Sequence, residues 1–289
     1  MAALNGYDIA SYQSGINIAA VPGDFVIVKA TQGISYLNPD FKRSVIATQA
    51  AGKLLGMYHY AGGGGAEAEA EHFLYAVRDY IKNGILVLDW ESQSNVNFGN
   101  VEYAKRWLDH VRAKTGITPF IYMSKSVCRA YNWTSVAPVY PLWAAQYKNY
   151  KETAYQTSPW TDKWSWGAWK SPLIYQYTSS GKLPGYNGRL DLDIAYMSPQ
   201  DWTFYAKGGE PQPAIDVRKF KTIRLGDTGA FVLLLQNALT VRGYPTPLTS
   251  VFDANTKYNL MRFQIDMGFD MGSEVDGVCG PQSWGALFS

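Results

Sequence analysis

The 289 residues carry a formal net charge of +2 with only 17% charged side chains, too balanced a field to attract nucleic acid or an acidic membrane. Aromatic residues reach 15%, including 10 Trp and 21 Tyr, side chains that pack in cores and also stack on sugar rings through a flat apolar face and a polar edge. No run of about 18 apolar residues offers a membrane span, and His59, His72 and His110 show no metal-ligand spacing, so neither membrane insertion, a metal nor another cofactor is expected.

In chain order, Met1 to Asp8 lacks a basic region followed by an apolar run, which reads as no signal peptide and synthesis in the cytoplasm. A short run, Asn5 to Ala10, carries Asp8. Phe25-Val26-Ile27-Val28 is apolar and β-branched, as a strand buried on both faces should be. Pro39 to Ala51 predicts a helix with Pro39 in its first turn and Gly52 past its end. Gly56 to Tyr60 reads as a strand, the Gly62–Gly65 run as a flexible strand-to-helix loop, and Gly65 to Tyr80 as a helix. Ile85-Leu86-Val87-Leu88 is a second buried strand, Val101 to Lys114 a helix, and Pro119 to Tyr122 a further strand. Strand–helix alternation over about 200 residues predicts an α/β fold, a parallel sheet closed into a (β/α) barrel, with an open doubly wound sheet as the alternative. No glycine-rich dinucleotide fingerprint follows a strand, which weakens a nucleotide-binding reading.

Cys128 and Cys279 are too far apart to suggest a disulfide framework, and the chain reads as made in a reducing compartment. Cys128 sits in an ordinary apolar-basic helical stretch, which disfavours a catalytic Cys–His pair. The sequence around Ala206-Lys207-Gly208-Gly209-Glu210-Pro211-Gln212-Pro213 is linker-like. It divides a first domain, 1–206, from a linker, 207–216, and a small all-α three-helix bundle, 217–289. The bundle contains two similar helical segments, Val232 to Leu239 and Thr256 to Met267.

Asp89-Trp90-Glu91 closes the strand Ile85–Leu88. Residues two apart on a strand face the same way, about 6.5–7 Å apart, and at the C-terminal end of a barrel strand that face is the active-site mouth. Paired carboxyls are what glycoside hydrolysis needs, one to give a proton and one to stabilise or attack the cationic sugar carbon. Mutual repulsion and burial keep one of the pair protonated near neutral pH. The plainer reading is a strand cap. Asp191 and Asp193 alternate with apolar residues in Leu190 to Ile194, where an edge strand with one solvent face is the plainer reading.

Together these pieces resemble the glycoside hydrolase family 25 muramidases. The ordered matches are Gly6 to Gln13, Val26 to Gly33, Asn38 to Phe41, Gly56 to Tyr60, Leu88 to Glu91, Ile121-Tyr122, Leu142 to Tyr147, Tyr175 to Tyr177 and Leu190 to Asp193. The resemblance implies an irregular (β/α) barrel with Glu91 as general acid, Asp89 as its nucleophilic or stabilising partner, and Asp8 and Asp191 as the other acids of the pocket. It implies substrate contacts from Tyr60, Tyr122, Trp143, Gln176 and Lys29. Asp193 stands where the family often has Asn, a supporting position, and Trp90 replaces a commoner small aliphatic residue. The tail resembles the type 1 peptidoglycan-binding domain, through Leu225 to Gly229, Leu235-Gln236, Gly243-Tyr244, Phe252, Thr256, Phe263-Gln264 and Asp276 to Trp284. There Leu235, Phe263 and Trp284 read as core, and Asp253 departs from the family's Gly. The resemblance implies a lysozyme acting on bacterial peptidoglycan, of the phage endolysin type, released through a separate pore-forming protein. The alternatives are a non-catalytic wall-binding protein on the same scaffold and a chitinase-like glycosidase.

Overall fold

Each apolar run of the first part becomes a strand with both faces covered, because helices pack outside it and other strands' side chains fill the space within. The computed structural model describes residues 3–209 and 219–288, which form two compact units. Most of the expected linker, 210–216, and the first two residues of the expected tail lie outside the described residues. Among the described residues no helix is long and apolar enough to cross a membrane.

The first unit has strands β1 (Leu4–Ile9), β2 (Phe25–Gln32), β3 (Tyr36–Leu37), β4 (Leu54–Tyr60), β5 (Gly84–Asp89), β6 (Phe120–Ser124), β7 (Leu142–Ala145), β8 (Ile174–Gly181) and β9 (Leu190–Ala195). Its helices are α1 (Phe41–Ala50), α2 (Ala66–Val77), α3 (Val101–Thr115), α4 (Lys125–Ala130) and α5 (Pro199–Ala206). The strands run in the order β1-β9-β8-β7-β6-β5-β4-β2-β3, and β1 also pairs with β2, so the sheet closes into a barrel from which the short β3 hangs on β2. The barrel is parallel except for β9, which is antiparallel to both β1 and β8. Leu190 to Ile194 is therefore an interior strand and not the edge strand of the plainer sequence reading.

Alternation sorts the side chains. Ile85 and Val87 face a barrel core with Leu4, Phe25, Ile27, Phe120 and Ile174, while Leu86, Leu88 and Trp90 face the helices. The lower interior is full: a Cβ on Gly6 would lie 2.4 Å from the Phe25 ring, and one on Gly56 2.8 Å from Ile27. Helix α5 closes that end. Its Trp202 packs on Phe25 at 4.7 Å between ring centres and donates to the Leu55 carbonyl at 3.0 Å. Its Tyr205 meets Phe120 edge-on at 5.1 Å. The opposite end, where most strands finish, is left for polar groups.

Two sequence expectations need correction. Helix α1 starts at Phe41 with Asp40 as its cap, so Pro39 lies outside its first turn. The reason is Asn38, whose side-chain oxygen accepts from the Asp40 N–H at 3.1 Å and holds a local turn. The glycine run 62–65 does join strand to helix, but it is pinned instead of flexible. The Glu69 carboxylate accepts from Gly62 N (3.2 and 3.1 Å) and Gly64 N (2.7 Å), Gly65 N donates to Tyr103 Oη at 2.8 Å, and Asn97 Nδ2 donates to the Gly63 carbonyl at 2.7 Å. Glu69 also meets His59 Nε2 at 3.0 Å, and His59 Nδ1 meets Thr31 Oγ1 at 2.8 Å. An ionised carboxylate only accepts, so Nε2 carries the proton and Thr31 donates to Nδ1. All three side chains are fully buried.

In the second unit α6 (Ala230–Val241), α7 (Ala254–Asp266) and α8 (Pro281–Leu287) pack around Leu235, Phe263 and Trp284, with Cys279 in the same core. The two buried glutamines beside that core clamp loops. Gln236 Nε2 donates to Thr249 Oγ1, Val251 O and Thr256 Oγ1 and its oxygen accepts from Thr249 N and Ser250 N. Gln264 does the same for Gly277 N, Asp276, Val278 O and Ser283. Asp253, the departure from Gly, caps α7 by accepting from Thr256 N at 2.7 Å.

Replacing Glu69 by Ala strands two glycine N–H groups and a histidine N–H in a dry interior. The variant is expected to lose about 2–4 kcal/mol of unfolding free energy at pH 7, read by urea unfolding. Burial raises the Glu69 carboxyl, but His59 and the glycine N–H groups outweigh it and leave it below its usual value, while burial holds the His59 ring below 6.5. Both contributions are complete above those unfolded values and fade on acidification, so the deficit should shrink towards pH 4. A deficit unchanged at low pH would contradict the ionised network.

Candidate active site

The open end of the barrel holds a cavity of about 320 Å³. All nine side chains singled out in the sequence line it: Asp8, Lys29, Tyr60, Asp89, Glu91, Tyr122, Trp143, Gln176 and Asp191. Barrel register explains how. Tyr60, Asp89, Tyr122 and Trp143 are successive cross-strand neighbours on β4, β5, β6 and β7. Asp8 pairs with Ile27 on one side and Asp191 on the other. Because β9 runs backwards, its first turn of chain reaches the same rim as the ends of the parallel strands.

Strand β5 ends at Asp89, yet the Trp90 N–H still bonds the Tyr122 carbonyl at 2.9 Å and carries the alternation one step further. Trp90 is fully buried on the helix side between Phe98 and Tyr103, with ring centres 6.2 and 5.8 Å away. Asp89 and Glu91 thus share the cavity. A bulge in β2 between Lys29 and Thr31 breaks the parity of that strand. It sends Lys29 and Gln32 into the cavity, joined at 2.8 Å, and Thr31 outward to His59. Asn38 Nδ2 satisfies the Lys29 carbonyl at the bulge, at 2.8 Å.

Gln176 organises the far wall. It donates to Asp8 Oδ2 at 2.6 Å and accepts from Tyr122 Oη at 2.8 Å and from Tyr147 Oη. Trp143, which lines the cavity, donates to the buried Asp193 Oδ1 at 2.8 Å, and its ring lies 4.5 Å from that of Tyr122. Asp193 is fully buried and does not line the cavity. Asp89 Oδ1 and Asp193 Oδ2 are buried with no hydrogen-bond partner.

Four carboxyls therefore line one barrel mouth with the Lys29 ammonium, and a fifth, Asp193, is buried behind them. Burial raises Asp8, with further pushes from Asp191 and Asp193. Burial and Glu91 raise Asp89, against the pull of Lys29. Burial raises Glu91, moderated by the Tyr122 and Tyr60 hydroxyls and Lys29. Both carboxyls therefore hold their protons to higher pH than an exposed carboxylate would. Burial, then Glu91, lifts Asp191 to about 6, and burial lifts Asp193 well above its usual value. Burial lowers the Lys29 ammonium against the attraction of Asp89 and Glu91. Among the described residues no group of three or more acidic, His or Cys side chains is arranged to hold a metal ion.

The sequence reading missed several liners. Tyr58 faces the cavity from β4, and alternation from Tyr60 would have found it. Tyr12, Gln13 and Tyr147 lie inside quoted motifs without having been singled out. Gln93 and Ser94 also line the wall, in a loop that carried no signal. Tyr60 Oη bonds the Gln93 carbonyl at 2.8 Å, and Val96 N bonds the Gly62 carbonyl at 3.3 Å, which ties that wall to the pinned glycine run.

A sequence model of the family Glycosyl hydrolases family 25 matches residues 7–186, and one of a peptidoglycan binding domain matches residues 228–287. The N,O-diacetylmuramidase of Chalaropsis sp is 31% identical over 212 residues, 65% of this chain and 96% of that protein. The uncharacterized protein YegX of Escherichia coli is 28% identical over 221 residues, 73% of this chain and 76% of that one. A family 25 lysozyme structure from Aspergillus fumigatus shares the fold, with a TM-score of 0.59 at 22% identity, covering 72% of this chain and 100% of that one.

The carboxyl cluster makes a stability prediction. A folded value of about 6 for Asp191, above its unfolded 3.8, means that its ionisation penalises the fold as pH rises through that window and not below it. Asp191→Asn is expected to raise unfolding free energy by about 1–3 kcal/mol at pH 7 and to leave it unchanged near pH 3.5. Urea unfolding at the two pH values checks this, and a variant less stable at pH 7 would refute the electrostatic account.

Proposed function

The chain belongs to glycosyl hydrolase family 25, and from that premise we propose that this glycoside hydrolase is a muramidase, cutting the β-1,4 bond between N-acetylmuramic acid and N-acetylglucosamine in bacterial peptidoglycan. The observation that carries the reading is the pair Asp89 and Glu91, both held above the usual carboxylate range, in one cavity with Asp8, Asp191, Lys29, Tyr60, Tyr122, Trp143 and Gln176. A merely structural carboxylate would be partnered, whereas a buried Asp89 oxygen has no hydrogen bond within the protein.

Glu91, the more exposed of the pair, gives its proton to the glycosidic oxygen as the bond to the anomeric carbon breaks. Asp89, deeper and ionised at that moment, stabilises the positive charge that develops on the carbon and orients the neighbouring acetamido group to attack it. Water then displaces the acetamido oxygen from the same carbon, restoring the acetamido group, its proton passes to Glu91, and the muramic acid becomes a new reducing end. Asp8, fixed by Gln176, and Asp191 border the same cavity, and negative charge on either favours keeping the Glu91 proton in place. Tyr60, Tyr122, Trp143 and Lys29 line the path of the sugars.

Residues 1–206 form the catalytic part of this proposal, 207–216 the linker, and 217–289 a domain that holds the enzyme on the wall. Action is at the cell wall, with delivery through a separate pore-forming protein as for phage endolysins.

Glu91→Gln removes the proton donor for a poor leaving group while keeping shape. It should fold as wild type and lyse purified walls about 100- to 10,000-fold more slowly. Turbidity loss, with identification of the new reducing-end sugar, measures it, and a rate near wild type would exclude Glu91 as the acid. A chain ending at Ala206 should still cut soluble glycan fragments at the full rate but clear intact cells more slowly, because the tail raises local concentration on an insoluble polymer. Equal clearing by both chains would argue against a wall-binding tail.

A further inference from the structure

A second pocket lies beside the catalytic cavity, and the reading above does not use it. It has a volume of about 560 Å³ and is built from the segment 148–160 against Tyr177 and Thr178 of β8. The two pockets share two stretches of chain but lie on opposite faces of β8, where Gln176 points into the barrel and Tyr177 packs with the helix-facing side chains. Tyr147 lines the first and Lys148 the second, and on β8 Gln176 lines the first and Tyr177 the second.

The wall of this second pocket is fixed. Thr153 N bonds the Ser180 carbonyl at 3.3 Å and Lys182 N bonds the Thr153 carbonyl at 2.8 Å. Gln156 N bonds Tyr177 Oη at 3.2 Å, and Tyr175 Oη bonds the Trp160 carbonyl at 2.7 Å. A preorganised wall loses little entropy when a ligand arrives.

Its chemistry is the reverse of the cavity next door. Lys148 and Lys151 line it, and neither ammonium has a hydrogen bond or an ion pair among the described residues. Glu152 lines it too, but lies 3.8 Å from Arg189, which draws on its charge. Trp160, 42% exposed, adds an apolar face. A substituent of a glycan bound in the carboxyl-lined cavity would have to cross the rim at β8 to reach this pocket, and there it would meet ammonium groups instead of carboxyls.

Resting on the muramidase reading, we propose that this pocket receives the carboxylate-bearing peptide stem of the glycan strand being cut. Lys148 and Lys151 face the stem's carboxylates, Trp160 covers its apolar part, and the enzyme therefore prefers stem-bearing to bare glycan. Peptidoglycan differs from other β-1,4 glycans in carrying such peptides on alternate sugars, so the pocket is a specificity device for this polymer.

The test compares soluble glycan oligomers with their stems against the same oligomers stripped of them, for wild type and for Lys148→Gln/Lys151→Gln. Wild type should show the higher kcat/KM on stem-bearing oligomers. The double variant should lose about three- to thirtyfold on these, in KM and not in kcat, as expected for two exposed charge contacts. It should match wild type on bare glycan. Equal wild-type rates on both substrates, or a variant that loses on both or on neither, would overturn the stem pocket while leaving the muramidase reading intact. Failure of wild type to cut either oligomer would overturn the muramidase reading itself.

Discussion

The seam at β1 is the constraint on which the site depends. This strand bonds β2 in parallel and β9 in antiparallel register, and only that double pairing turns a sheet into a ring. Closure brings Asp8 within 2.6 Å of Gln176, 168 residues away, and sets it opposite Asp191. An open sheet with the same strands would scatter these groups along two edges. The ring also decides which end can be polar: α5 and the large side chains fill one mouth, and the other is left as a cavity.

The cost of that arrangement is electrostatic. Like charges on facing strand positions repel, and burial removes the water that would screen them. The structure answers with hydrogen bonds from Gln176 and Trp143, with Lys29, and with retained protons. The frustration is concentrated at one end of a fold whose other layers are apolar and filled, the pattern expected where function opposes stability.

Much of this was legible in the sequence because the code involved is local. Apolar runs such as Ile85–Leu88 mark buried strands, and the two-residue period carries Asp89 and Glu91 to one face whether or not the ladder extends that far. Residues whose placement depends on partners far along the chain were less legible. A glycine run reads the same loose or pinned, and the partners that pin residues 62–65 are Glu69, Asn97 and Tyr103. Alternating acid and apolar residues in 190–194 suit an edge strand or an inner strand at a polar mouth equally well, and only the neighbours distinguish them. The bulge at Lys29–Thr31 changes which residues face inward, and its stabiliser is the distant Asn38 side chain. In the tail, Leu235-Gln236 and Phe263-Gln264 announced core packing, but the loop clamps made by the glutamines needed the fold to be seen.

The reversed strand has a consequence for how the chain is made. Synthesis delivers β1 first, and β2 can cover one of its edges within a few tens of residues. The other edge stays open until β9 emerges, after every other strand of the ring. During that interval the nascent chain exposes an unpaired strand edge and the apolar surfaces beside it, which is where misassembly begins. The stopper α5 follows β9 by only a few residues, so ring closure and the sealing of its base fall within one short stretch of translation. The order of elements along the chain thus makes closure of the barrel a late event, open to the chain only once β9 has emerged.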